Sequence, residues 1–196
     1  SVMLIDLDHF KAVNDSFGHR EGDHVLKAVV DSIVSALRPN DVVGRLGGEE
    51  FGVILPGASE GNAMMVAERV RRRVESSVFR PDRRAVTISL GISCAPSQGK
   101  TAELLVRRAD VALYESKNAG RNRSTMWDAS MSSTFRVHDT ASLLDTGDPG
   151  WDQLVSNTVM RLLAERSVKP ELALDDLRNA LRCEYLMLED TEGRGF

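Results

Sequence analysis

The apolar positions of this chain change period several times, and each change marks an element. Val2-Met3-Leu4-Ile5 is continuously apolar, as in a strand buried on both faces. It ends in Asp6-Leu7-Asp8, where alternation puts Asp6 and Asp8 on one side of the strand end. A polar segment holding Lys11, Asn14 and Asp15 then runs to Phe17-Gly18-His19. Val25, Leu26, Val29, Val30, Ile33, Val34 and Leu37 repeat at three and four, which predicts a helix, and Pro39-Asn40-Asp41 breaks it. Two short apolar runs, Val42–Leu46 and Phe51–Leu55, flank Gly47-Gly48 and read as a β-hairpin. Ser59 is placed to cap a second helix, with Ala63, Val66, Ala67, Val70 and Val74 inward and Arg69, Arg71, Arg72 and Arg73 on a solvated face. Ala85–Ile92 reads as a strand. A third helix covers about Thr101 to Asn118, stopped by Gly120.

The order β-α-β-β-α-β-α predicts an α+β fold: a ferredoxin-like βαββαβ antiparallel sheet with helices on one face. Strand one then lies beside the second hairpin strand, and Asp6 and Glu49 converge at one end of the sheet. After Trp127 the composition changes. Residues 128–150 are rich in Ser, Thr, Asp and Gly and read as a linker. Residues 151–196 carry two short helical stripes, then a strand-like run from Cys183 to Leu188. They read as a mostly helical extension, an arm or the start of a sensory domain.

The chain has 196 residues, enough for one ordinary domain and an appendage. A net charge of −4 argues against a general nucleic-acid or anionic-membrane binder. It leaves room for a single nucleotide arriving with its metal. Cys94 and Cys183 are far apart and read as small apolar residues in a reducing compartment. No apolar run approaches the length of a membrane span.

The hairpin turn carries the chemistry. Gly47 and Gly48 let a bulky ligand lie against the backbone, and Glu49 and Glu50 place dense negative charge beside them. Oxygen-only ligands on a short turn suit Mg²⁺, which keeps water and substrate phosphates in its other positions. A solvated acidic turn is the competing reading, and the rest of the chain decides against it.

Asp6-Leu7-Asp8-His9-Phe10-Lys11-Ala12-Val13-Asn14-Asp15, Phe17-Gly18-His19, Gly22-Asp23 and Gly47-Gly48-Glu49-Glu50-Phe51 together resemble a GGDEF domain in its Gly-Gly-Glu-Glu-Phe form. Ser89–Ile92, Ala109–Tyr114 and Lys117–Asn122 extend the match to about residue 126. The resemblance implies a cytoplasmic bacterial diguanylate cyclase that condenses two GTP into cyclic di-GMP, releasing two pyrophosphates. It implies Mg²⁺ or Mn²⁺ held by Asp6, the Leu7 carbonyl, Glu49 and Glu50. Phe10, Lys11, Lys117 and Arg121 would meet the terminal phosphates. Asn14 and Asp23 would read guanine, whose acceptor and donors an amide and a carboxylate can answer. Glu49 is also a candidate general base, though a metal-bound carboxylate is a poor one. Because one domain seats one GTP, a homodimer across a two-fold axis is needed. Arg38-x-x-Asp41 matches the family's inhibitory product site, with Arg69 or a neighbouring arginine completing it. An ordinary helix-end arginine is the competing reading of Arg38.

The resemblance also implies a lead of two helices and an Asp-x-Leu-Thr turn ahead of residue 1, so residues 1–127 read as an N-terminally shortened GGDEF domain. The alternative function is a catalytically inactive receptor for GTP or cyclic di-GMP; a scaffold whose tail recruits a partner is a third. Gly99-Lys100-Thr101 mimics the end of a P-loop, but Cys94 stands where its first glycine is required. His19 and His24 lack metalloprotease spacing, and His138 has no neighbouring ligands. All four histidines read as surface or packing residues.

Overall fold

The computed structural model describes residues 1–77 and 85–133. Strand β1 is Val2–Leu7, followed by helices α1 (Phe10–Phe17) and α2 (His19–Ser35). The hairpin β2 (Val42–Gly47) and β3 (Glu50–Ile54) leads into α3 (Glu60–Glu75). Strand β4 (Ile88–Ser93), helix α4 (Ala102–Asn118) and the short β5 (Ser124–Met126) follow, then a 3-10 turn at Ala129–Ser133. The sheet order is β2-β3-β1-β4-β5, antiparallel except for the parallel β4–β5 pair. As expected, β1 lies beside β3 and Ser59 caps α3 through its side-chain oxygen; Thr101 caps α4 in the same way.

Three features differ from the sequence reading. The segment after Asp8 is helical: α1 buries Phe10 and Val13 and packs the half-buried Phe17 against the core, an i, i+3, i+7 trace too short to stand out among its polar residues. A fifth strand, β5, extends the sheet along β4. The helices also cover both faces of the sheet. Met3, Ile5 and Leu7 of β1 pack with residues of α2 and α3, whereas Val2 and Leu4 pack with Leu105, Ala109 and Leu113 of α4. The sequence of β4 explains this second layer. Ile88, Leu90 and Ile92 face the α2–α3 core, and the alternate positions are Ser89, Gly91 and Ser93. Small residues on that face let α4 lie close. Ser93 Oγ donates to the Leu105 carbonyl at 2.6 Å and Ser116 Oγ to the Leu90 carbonyl at 2.7 Å, pinning helix to strand.

Trp127 is buried with Val111 and Ala112, with Met131 packed against them, so the described fold continues past residue 127 into the predicted linker. The rest of that linker and the helical extension lie outside the described residues, as do Cys183 and His138. Cys94 is buried, as its reading as a small apolar residue requires. No described helix is long and apolar enough to cross a membrane.

Candidate functional site

One end of the sheet gathers the acids. In the β1–β3 register Asp6 lies opposite Glu50, and the Leu7 amide donates to the Glu49 carbonyl at 3.3 Å. The tight turn is made by Gly48 and Glu49, one residue later than the glycine pair suggested, because Gly47 still pairs with Glu50. The register shifts between Arg45 and Gly47, leaving Leu46 as the extra residue of a bulge. Gly48 takes φ +49°, and the Arg45 guanidinium donates twice to its carbonyl, at 2.9 and 2.7 Å. A Cβ on either Gly47 or Gly48 would meet no atom of the domain. The domain's own packing therefore does not call for a glycine at 47, and the surface over the turn is open.

Asp6 lies on the α4 side of the sheet, where Lys117 Nζ donates to its Oδ2 at 2.8 Å. Burial pushes the Asp6 carboxyl above its ordinary value, with the Lys117 hydrogen bond pulling the other way. Burial, then the charge of Asp6, likewise pushes Glu49 and Glu50 up. Asp110 is raised by burial as well, opposed by Lys117. Several carboxylates thus lie within the influence of Lys117, and Arg121 is a second cation that acts on Asp6. Among the described residues no three His, Cys, Asp or Glu side chains form a protein-only metal cage. A Mg²⁺ ion takes only one or two carboxylates and completes its shell with water and phosphate, so such a cage is not required of a Mg²⁺ site. Asp6, Glu49, Glu50 and the Leu7 carbonyl are the oxygens available for it.

Asp8, only two residues beyond Asp6, is fully engaged elsewhere. Its carboxylate accepts from Ser89 Oγ at 2.6 Å, Thr87 Oγ1 at 2.7 Å and the Asn122 amide at 3.0 Å. It fastens β1, β4 and the turn after α4 together. No pattern in the sequence marks it off from Asp6.

The other predicted residues fall in two places. Phe10 and Lys11 open α1, with Phe10 buried and Lys11 exposed, at the same end of the sheet as Asp6. Asn14, from the middle of α1, seats its side chain against Gly22 of α2: a Cβ there would stand 1.9 Å from Asn14 Oδ1 and 3.1 Å from Phe10 Cζ. The next residue, Asp23, lines a cleft of about 570 Å³ with Leu26, Arg45 and Phe51. Arg121 follows α4 in an exposed turn.

Arg38 and Asp41 lie at the far end of α2. The Asp41 carboxylate is buried and accepts from the Arg38 amide at 2.8 Å, and the Asp41 amide donates back to the Arg38 carbonyl at 2.9 Å. Arg69 Nε donates to the Ala36 carbonyl at 2.9 Å, bringing it to the same corner. The neighbouring arginines are not shown at this corner. Arg72 pairs with Glu68 at 3.7 Å, and Arg73 lies with Ser76 and Ser77 in a shallow hollow. Arg71 does not belong to a solvated face. It is 13% exposed, bonded to Glu68, Glu75 and Asn122.

This layout has counterparts among known proteins. The family model described as "Diguanylate cyclase, GGDEF domain" matches residues 1–123. The chain therefore belongs to the GGDEF domain family. It is 47% identical over 128 residues to diguanylate cyclase A of Treponema denticola, covering 64% of this chain and 34% of that protein. It is 43% identical over 126 residues to the response regulator PleD of Caulobacter vibrioides, covering 62% of this chain and 28% of that one. The chain thus spans about a third or less of the curated relatives it matches. Among solved structures, it resembles the active GGEEF domain of a diguanylate cyclase from Vibrio cholerae, with a TM-score of 0.61, 33% identity, and 65% of this chain and 81% of that one covered. It also resembles the GGDEF domain of DgcB from Caulobacter crescentus in complex with c-di-GMP, with a TM-score of 0.58, 35% identity, and 64% and 75% covered.

Proposed function

We propose that this domain is a diguanylate cyclase that joins two GTP into cyclic di-GMP and releases two pyrophosphates. The observation that carries the reading is the meeting of Asp6, Glu49 and Glu50 with Lys117 beside an open glycine turn. Asn14 and Asp23 present an amide and a carboxylate at the α1–α2 corner, the pair that can answer guanine's O6, N1–H and N2–H₂. The first turn of α1, with Lys11, offers amides and positive charge to phosphate. Lys117 and Arg121 bind the terminal phosphates and hold pyrophosphate as it leaves. A divalent cation held by Asp6, the Leu7 carbonyl, Glu49 and Glu50 would offset charge on the α-phosphate and acidify the attacking hydroxyl.

In each of two steps a bond forms from a 3′-oxygen to an α-phosphorus. The bond from that phosphorus to its bridging oxygen breaks, pyrophosphate departs and the hydroxyl proton is released. Each domain seats one nucleotide, so two copies face each other across a two-fold axis. Arg38, Asp41 and Arg69 form the corner where product binds and restrains turnover; the supporting observation is the Arg69 bond to Ala36.

Incubating the chain with GTP and Mg²⁺ and resolving nucleotides by mass tests this. Cyclic di-GMP with two equivalents of pyrophosphate is expected, and Glu50→Gln should abolish it without loss of fold. Binding of cyclic di-GMP that Arg38→Ala removes, with no turnover at any concentration, would replace the enzyme by a receptor.

A further inference from the structure

Three consecutive residues after α4 have positive φ: Gly120 at 111°, Arg121 at 64° and Asn122 at 46°. Only the first is glycine. The left-handed conformation is unfavourable for an L-residue, and asparagine tolerates it better than arginine. Such a turn persists only when its surroundings hold it. Here the Arg121 amide donates to the Ser116 carbonyl at 3.0 Å, and the Asn122 amide donates to Asp8 Oδ2 at 3.0 Å.

The Asn122 side chain is held more firmly still. Its Nδ2 donates to Glu75 Oε1 at 2.7 Å, and its Oδ1 accepts from Arg71 Nη1 at 2.7 Å. Arg71 Nη1 also bridges to Glu75 Oε2 at 2.8 Å, closing a ring between α3 and the turn. Only an amide fits this ring, since it must both donate and accept. Aspartate would set a second carboxylate against Glu75; alanine would leave both partners without it. The residue held in this way is next to Arg121, which is exposed and whose charge reaches Asp6.

We propose that Asn122 is a positioning residue, locked by Asp8, Arg71 and Glu75, that fixes the strained turn so that Arg121 points at the terminal phosphates of the nucleotide. This rests on the reading of Arg121 as a phosphate ligand given above. It also gives the buried, saturated Asp8 a role in the site without contact with metal or substrate. If the ring served only to staple α3 to the end of α4, its loss would lower stability and weaken every ligand alike. If it aims Arg121, its loss costs affinity only for ligands that carry terminal phosphates, and only while Arg121 is present.

The test is a double-mutant cycle on the full chain, with dissociation constants for a non-hydrolysable GTP analogue with Mg²⁺ and for GMP, each read by competition against a fluorescent guanine nucleotide. Arg121→Ala should weaken the GTP analogue by about tenfold or more, the usual effect of losing a charge-assisted phosphate contact. Asn122→Ala should weaken it by a similar factor, leave GMP unchanged, and add less than twofold when combined with Arg121→Ala. Should Asn122→Ala fail to fold, Glu75→Ala removes one arm of the ring from a half-exposed position, and the same pattern is expected at smaller size. Equal losses for GMP and the GTP analogue would overturn the proposal. So would full additivity with Arg121→Ala, or an unchanged constant for the analogue. An Arg121→Ala protein that keeps its full affinity for the analogue would overturn the phosphate reading itself, and with it this role for Asn122.

Discussion

Adding one methyl group at Gly91 should drive α4 off the sheet. Gly91 sits in the middle of β4, beneath α4, and a Cβ there would stand 2.0 Å from the Ala109 carbonyl oxygen, 2.2 Å from the Leu113 amide nitrogen and 2.7 Å from Leu113 Cα. All three are backbone atoms, so no side chain can swing aside. Restoring an ordinary 3.4 Å contact to the Ala109 oxygen requires a retreat of 3.4 − 2.0 = 1.4 Å. A gap of 0.5–1 Å already forfeits roughly a quarter to a half of a dispersion contact. The layer at stake is Val2, Leu4, Leu105, Ala109 and Leu113, all 5% exposed or less.

The same retreat stretches two buried hydrogen bonds, from Ser93 to Leu105 at 2.6 Å and from Ser116 to Leu90 at 2.7 Å. Overpacking costs about 1–3 kcal/mol and each lost bond about 1 kcal/mol, so Gly91→Ala should destabilise by roughly 3–5 kcal/mol. With a urea slope of about 2 kcal/mol/M, the midpoint should fall by about 1.5–2.5 M. Gly61→Ala is the control. It lies in the first turn of α3, where a Cβ meets nothing, and should be neutral or stabilising by up to about 1 kcal/mol. A midpoint for Gly91→Ala within about 0.5 M of the parent would refute the close approach as the reason for this glycine.

Gly22→Ala should dislodge Asn14, whose Oδ1 lies 1.9 Å from the new methyl position; the expectation is about a tenfold loss of guanine-nucleotide affinity and a smaller preference for GTP over ATP, measured by calorimetry. Asp6, Glu49 and Glu50 are all raised in the folded state, so that state holds their protons more tightly than the unfolded chain does. Stability without metal or nucleotide therefore falls as pH rises from the ordinary carboxylate range through the raised values. Glu50→Gln should then raise the unfolding temperature at pH 7, and the gain should fade below about pH 4, where the glutamate is protonated in both states. A loss at pH 7 in metal-free protein would contradict that sign; added Mg²⁺ should stabilise the parent more than the variant. Arg69→Ala should weaken cyclic di-GMP binding by about tenfold in a direct titration, whereas Arg72→Ala, 75% exposed and paired only loosely with Glu68, should leave it unchanged.

The sequence showed clearly those elements whose apolar residues repeat often enough to count. Helices α2, α3 and α4 each bury five or more residues on one stripe, and all three were readable. Helix α1 has only Phe10, Val13 and the half-buried Phe17 on its inner side, and β5 is three half-buried residues, so neither repeats long enough to stand out. The second helical layer did leave a mark, the large–small alternation Ile88-Ser89-Leu90-Gly91-Ile92-Ser93, which reads as a strand covered on both sides once small residues count as packing surface. Topology alone brought Asp6 to Glu49. The ring of Asp8, Arg71, Glu75 and Asn122 joins positions up to 114 apart in the chain, with polar residues that have no periodic signature. In a linear reading Arg71 looks like any exposed helix arginine.

Charge at the site divides by element. The acids Asp6, Glu49 and Glu50 belong to β1 and the β2–β3 hairpin, which are held together by strand pairing. Lys117 and Arg121 belong to α4 and the turn behind it, which are held to the sheet by packing over Ser89, Gly91 and Ser93 and by the Asn122 ring. The pair proposed to read guanine, Asn14 and Asp23, belongs to a third unit, the α1–α2 corner. A change that shifts α4 therefore alters the distance from cation to acid while leaving the acids and the α1–α2 corner in place. Lys117 feels this first, because its 2.8 Å contact with Asp6 joins α4 directly to β1. A partial shift of α4, such as Ser116→Val would cause by crowding the Leu90 carbonyl, should thus weaken GTP more than GMP. Gly22→Ala should weaken both equally, and equal losses from both variants would mean that the three units do not move independently.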